Sequence, residues 1–210
     1  MNIDFLTLSQ WMSPAFPVGA FAYSHGLETA IQDGRINDAR QLQNWLVDVL
    51  AHGSVRADLV LMSAAFNASD VAGIDEVARA FQPSKERLRE TERMGAAFAR
   101  TVRDVWELDV PDCLYPVAVG RAAGQKRLGF EQVAGLYAHA FAANLVSAAI
   151  RLVPLGQTEG QGVLQALTPH CAELAKATMG ATLDDLASSA FMSDIAAMRH
   201  EVLEPRVFQS

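Results

Sequence analysis

Residues 131–156 read EQVAGLYAHAFAANLVSAAIRLVPLG, and this stretch decides the fold. From Glu131 to Val153, apolar and small residues occupy nearly every side of a 3.6-residue period. The spacing predicts a helix with almost no solvated face, one that sits at the centre of a helical body. Pro154-Leu155-Gly156 ends it sharply, because proline lacks an amide donor and glycine tolerates left-handed dihedrals. Val133 to Val153 is also long enough to cross a bilayer, but His139, Asn144, Ser147 and Arg151 lie within it, and a mid-span charge is costly there. The expectation is a buried helix of a soluble protein.

Working outward, the pattern stays helical. Val117 to Leu128 precedes the central helix and is broken by Gly129. Before that, Ser84 is placed to cap a long helix reaching about Trp106. Its apolar side is Leu88, Met94, Phe98, Val102 and Val105, and Glu86, Arg89, Glu90 and Arg93 read as a solvated charged face. Further upstream, a short helix follows Ser69 and stops before Pro83. Ser54 is expected to cap another carrying Val55, Leu59, Met62 and Phe66. Asn37-Asp38 opens one with Leu42, Trp45, Leu46, Val49 and Leu50 on its stripe, ending at Gly53. After Gly156 two shorter helices are expected. Val163, Leu164 and Leu167 mark the first; Thr168 as cap, Pro169 as first residue and Gly180 beyond the end mark the second. A last helix uses Ile195, Met198 and Val202 as its apolar stripe and stops before Pro205. Strand alternation is nearly absent, with no repeat, linker or low-complexity tract. The sequence therefore describes an all-α protein, a single helical bundle of about ten helices spanning 1–210, with a short C-terminal tail at about 203–210.

The totals exclude several classes of function. With 17 basic and 24 acidic residues the formal charge is −7, so the chain lacks the basic footprint needed to bind nucleic acid or an anionic membrane. Cys113 and Cys171 read as buried thiols, not a disulfide framework. The first six residues, Met1 to Leu6, carry no secretory pattern, which fits a cytoplasmic protein.

Reactive chemistry is hard to find. Gly120-Arg121-Ala122-Ala123-Gly124-Gln125-Lys126 superficially suggests a phosphate loop, but its spacing is one residue short and no hydroxyl follows the lysine. Close helix packing through the two glycines explains it better. There is no nucleophile elbow, and His170 and Cys171 are neighbours whose side chains diverge on a helix. His25, His52, His139, His170 and His200 show no metal-ligand spacing, so no metal or other cofactor is expected, and His200-Glu201 is kept as a metal or interface candidate.

Three places stand out. Ser13-Pro14-Ala15-Phe16-Pro17-Val18-Gly19 makes a rigid irregular lead-in to Phe21, Tyr23, Ser24, His25 and Glu28, where the aromatics either anchor the core or form a binding surface. Ala140, Asn144, Ser147 and Arg151 align on the central helix and end in a cation near its C-terminus, with Glu28 as one possible partner for Arg151. The last, Met198-Arg199-His200-Glu201 through Arg206-Val207-Phe208, has residue types enriched at binding hot spots.

Taken with Ser84–Gly95 and Arg151–Gln161, these segments resemble the UreF family of urease accessory proteins, in the same order and spacing from about residue 5 onward. Val207 stands where that family usually has leucine, and Gln209 where it often has a basic residue. The resemblance implies a non-enzymatic, often dimeric protein. It implies binding to the accessory protein UreD (UreH in some organisms) and to the nickel-carrying GTPase UreG, in a complex that delivers nickel to apo-urease and regulates coupling to GTP hydrolysis. It assigns Glu28 and Arg151 to the GTPase-facing side and Arg206 to complex assembly. Tyr23, Ser24, His25, His200, Glu201 and Phe208 lie in neighbouring motif positions. The competing class is a helical metal-binding or hydrolytic enzyme using scattered histidines and acids.

Overall fold

A computed structural model describes residues 3–210, so the first two residues of the N-terminal reading lie outside it. The described residues form ten α-helices and two 3-10 turns, with no strand among them. The helices are α1 (Ile3–Trp11), α2 (Leu27–Gln32), α3 (Ala39–His52), α4 (Ser54–Phe66), α5 (Ala72–Ala80), α6 (Lys85–Trp106), α7 (Tyr115–Gln125), α8 (Phe130–Leu152), α9 (Gln157–Ala177) and α10 (Phe191–His200).

The central helix lies where its composition puts it. Val133, Ala134, Ala138, Ala142, Leu145 and Ala149 of α8 are all buried, and α8 packs most extensively on α9 while also touching α1, α2, α3 and α4. Both it and residues 39–66 are apolar and long enough to cross a membrane. The latter are two helices, broken at Gly53, and half or more of each stretch is buried inside the bundle, as in a core. Around α8 the caps follow the sequence chemistry. The Asp38 carboxylate accepts from the Gln41 amide at 2.7 Å to start α3, and the Ser84 hydroxyl accepts from the Arg87 amide at 3.1 Å to start α6.

The α4–α7 contact depends on glycine. A Cβ on Gly120 would meet the Met62 carbonyl O at 2.3 Å, and one on Gly124 the Phe66 carbonyl O at 1.6 Å, so backbones touch here where side chains normally separate helices. The suspected phosphate loop is thus a helix-packing seam.

Some expectations fail for physical reasons. Ser54 is the first residue of α4 and makes no cap; Gly53 holds that place. The short helix that follows Ser69 begins at Ala72, with Asp70 accepting from its amide at 3.0 Å. The two helices expected after Gly156 are one, α9, with Pro169 inside it. Thr168 donates its hydroxyl back to the Leu164 carbonyl at 3.1 Å, as a mid-helix threonine does. On α10 the expected stripe faces out: Ile195, Met198 and Val202 are exposed, and Ala196, Ala197 and His200 are buried. On α6 the buried row runs through Arg87, Thr91, Met94, Phe98 and Val102, leaving Val105 61% exposed.

Candidate functional site

The residues singled out in the sequence meet around one buried carboxylate. Glu28, on the first turn of α2, is 1% exposed. Its Oε1 accepts from the Val207 amide at 2.7 Å and its Oε2 from the Phe208 amide at 2.9 Å. His200 at the end of α10 places Nε2 3.3 Å from Glu28 and Nδ1 2.7 Å from Glu86 Oε2. Arg206 donates to the other oxygen of Glu86. The chain then runs beside residues 22–24: the Gln209 amide donates to the Ala22 carbonyl at 2.9 Å, and the Ser24 amide to the Ser210 carbonyl at 2.7 Å. The C-terminal residues are therefore fastened onto the body by polar groups buried with them, each of these amides meeting an acceptor. Phe208 and Ser210 are buried as a result.

This places the nine sequence candidates in two sets. Tyr23, Ser24, Glu28, His200 and Phe208 are buried, and His25 nearly so; they form the seat of the tail. Arg151 and Arg206 are exposed and Glu201 partly so. Arg151 is not paired with Glu28; its guanidinium lies 5.9 Å from the Phe208 ring centroid, a cation–π contact. Glu201 Oε1 accepts from the Lys85 amide at 2.7 Å, which ties the end of α10 to the start of α6. The lead-in aromatics divide: Phe16 and Tyr23 are core, whereas Phe21 is 64% exposed, and the helix begins only at Leu27. Gly26 is needed just before it, with φ +75°, because a Cβ there would meet the Ala197 amide N at 2.4 Å.

Beside the seat lies a cavity of about 600 Å³ between the lead-in segment, α6 and α8. Its floor holds His25, Asp58, Arg87, Glu90 and Tyr137, most of which the sequence reading missed. Glu90, expected on a solvated face, is 2% exposed, and Arg87 likewise. Burial is tolerable because Arg87 Nη1 donates to Glu90 Oε1 at 2.5 Å and the Ser210 hydroxyl to Glu90 Oε2 at 2.7 Å. The signal was present: positions 87, 91, 94 and 98 are one helical row, and two of its apolar members flagged the buried side.

The charges on this floor are shifted by their surroundings. Desolvation and then the Arg87 charge hold His25 well below its usual value, so the ring is neutral, donates from Nε2 to Glu90 Oε1 at 3.1 Å, and leaves Nδ1 without a partner. Desolvation raises Asp58 to about 6, against the opposing pull of Arg87 and of the Tyr137 hydroxyl that donates to it at 2.8 Å. A carboxyl raised in the folded state costs stability once ionised. The cost, about 3 kcal/mol for a shift of this size, is full above the folded value and disappears as pH falls from about 6 to about 4. Burial also raises Cys113 to about 12 and Cys171 to about 11, so neither thiol is a nucleophile at neutral pH. Among the described residues no three His, Cys, Asp or Glu side chains are grouped to hold a metal ion.

Exposed apolar residues concentrate on α10 and the segment after it. Phe191 is 68%, Met198 51% and Val202 83% exposed, with Met192 and Ile195 beside them. A helical body whose buried charges fasten its own tail, and whose apolar side chains are left on an outer helix, belongs to the class of proteins that act by binding other proteins. The comparisons place it further. The family model described as UreF matches residues 36–168. The chain is 52% identical over 213 residues to the urease accessory protein UreF of Roseobacter denitrificans, covering all of this chain and 96% of that protein. It is 51% identical to the UreF of Cereibacter sphaeroides over the full length of both, and 48% identical to that of Ruegeria pomeroyi over 98% of this chain and 96% of that one. The chain belongs to the UreF family of urease accessory proteins, and it is an accessory protein, not an enzyme.

Proposed function

We propose that this protein joins a UreD/UreH-type accessory protein to a UreG-type GTPase in the cytoplasm, as a homodimer, in the complex that delivers nickel to apo-urease. The observation that carries this reading is the exposed apolar face of α10, Phe191, Met192, Ile195 and Met198, lying next to a tail held in fixed shape by Glu28, His200 and Glu86. Such a face loses its cost of hydration only against a partner, and α10 with the tail is the surface assigned to the UreD-type protein. The α2 side and the end of α8, with Arg151, are assigned to the GTPase. Of the site residues, Arg151, Glu201 and Arg206 reach partners directly; Tyr23, Ser24, His25, Glu28, His200 and Phe208 act by holding the tail in the shape the partner meets.

Holding both partners at once raises the concentration of each near the other. If the two nucleotide states of the GTPase differ in affinity for this surface, hydrolysis is coupled to release of the metal by the same difference. Arg206→Ala tests the arrangement. Its guanidinium is exposed and pairs with Glu86, so the fold should persist, with an unchanged melting curve. Affinity for the UreD-type protein should fall on the order of tenfold, read by co-elution at graded concentrations. Undiminished co-elution would remove the tail from the interface.

A further inference from the structure

The cavity beside the tail seat shares only His25 and Arg151 with the surfaces described above, and its floor is unbalanced in charge. Glu90 is fully engaged, with Arg87 and His25 on one oxygen and Ser210 on the other, so the Arg87–Glu90 pair is close to neutral. His25 is neutral. That leaves the Asp58 carboxylate, 3% exposed, with the Tyr137 hydroxyl as its donor and a net negative charge on the floor. Lining the same cavity, the unpartnered His25 Nδ1 is an acceptor, on a side chain only 10% exposed. A buried acid and a bare acceptor call for a cationic donor.

The walls specify the rest of the occupant. Met94, Leu136 and Phe141 line the space with Trp11 and Phe16, a surface suited to an aliphatic stem. Phe21 at the rim is 64% exposed, and α1, which contributes Ser9 and Trp11, leaves Ile3, Phe5 and Leu6 exposed. An apolar collar of that kind suits an occupant attached to a protein surface better than a free amine. The chain's charge of −7 favours a basic partner face in the same direction.

We propose that this cavity receives a lysine or arginine side chain inserted by a protein partner, its stem along Leu136 and Phe141 and its cationic head against Asp58 and His25. The proposal rests on the reading of the chain as a partner-binding protein, though not on which partner supplies the residue. Two groups oppose a cation, Arg87 and the Trp11 ring N–H, both with a donor that lacks a partner, and they favour the Asp58 side of the floor for the head. His139 and Arg151 lie further out, with Arg151 over Phe208. The raised Asp58 pKa fits this arrangement, since a cation placed against the carboxylate offsets the desolvation that burial imposes on it.

The test uses the whole chain and defined probes. N-acetyl-lysine methylamide and its norleucine counterpart, equal in stem and differing in charge, are titrated into the protein and followed by NMR shifts of the tyrosine, histidine and methionine signals lining the cavity. The lysine probe is expected to bind about tenfold more tightly than the norleucine probe. Asp58→Asn should reduce it to the norleucine level. Ser147→Trp, at an exposed rim position that leaves the core untouched, should block both probes. Affinity for the lysine probe should also fall as pH drops through about 6, where Asp58 takes up its proton. Of the other groups facing Asp58, His25 is already neutral, Arg87 stays cationic, and Tyr115 and Tyr137 stay protonated; Glu90 is also raised by burial against the pull of Arg87, so the pH response is compared with that of Asp58→Asn, which removes the Asp58 part alone. Equal binding of the two probes, or lysine binding indifferent to Asp58→Asn, overturns the proposal. So does absence of lysine binding in a chain that still assembles with its partners, and that result would leave the proposed function standing. Charge-dependent lysine binding in a chain that recruits no partner would do the reverse.

Discussion

Gly124→Ala is expected to remove most of the stability of this protein. The added Cβ would lie 1.6 Å from the Phe66 carbonyl O and 2.8 Å from its carbon, both backbone atoms inside a helix end that cannot rotate away. α4 and α7 must then part, and Leu59, Met62, Val119 and Ala123, each now fully buried, lose contact along the seam. Overpacking against backbone is among the costliest single changes; a loss above about 4 kcal/mol is expected, out of a typical total of about 5–15. Urea unfolding measures it. Gly162→Ala, on the outer side of α9 with nothing within 4 Å of its Cβ, is the matched control and should stabilise by up to about 1 kcal/mol through helix propensity. Similar midpoints for the two variants would show that the α4–α7 seam is looser than the atoms indicate.

Glu28→Ala should free the tail. The substitution deletes the acceptor of two backbone amides and one of the two carboxylates facing His200, all in a buried place where water does not substitute freely. Removing one member of such a network costs about 3–5 kcal/mol. Two outcomes are expected together: fast hydrogen exchange at the Val207 and Phe208 amides, and loss of the proposed UreD-type partner even though Glu28 is too deeply buried to touch it. Glu28→Gln keeps one acceptor oxygen and should fall between. Undisturbed protection at both amides would mean that other bonds, such as Ser24 to Ser210, hold the tail without Glu28.

The body of the fold was legible because its strongest signals are local. Asp38 and Ser84 cap helices through bonds to their own third neighbours, and α8 is apolar on most of its sides because helices pack on it, while the row with Asn144, Ser147 and Arg151 lines the cavity. What misled the reading was tertiary. Pro169 suggested a helix start, yet Val163, Leu167, Cys171 and Leu174 form one buried row straight through it. The proline faces solvent, where the carbonyl it leaves unbonded can be hydrated. The last helix turned its bulky side outward because α2 approaches at Gly26, and only alanines fit that contact. Hydrophobicity alone ranks Ile195 and Met198 as core; the close approach excludes them.

The site was legible in its members and obscure in their roles. Glu28, His200, Arg206 and Phe208 were all picked out by motif, and the structure brings them to one place 180 residues apart in sequence between Glu28 and Phe208. Their inward orientation depends on bonds from a tail that looks, in sequence, too short to pack. Asp58, Arg87 and Glu90 were invisible for the opposite reason. Charged residues on a helix are usually solvated, and only the apolar row they interrupt shows that these are not.

In the proposed function this molecule works by carrying partners on its outside while its buried charges serve its own shape. The most direct measurement is the mass of the eluting species when the chain is mixed with the UreD-type protein and the UreG-type GTPase, each purified, and passed over a sizing column with light-scattering detection. One peak whose mass requires all three chains is the predicted result. Three separate peaks from folded proteins, with the chain eluting at its own mass, would contradict it.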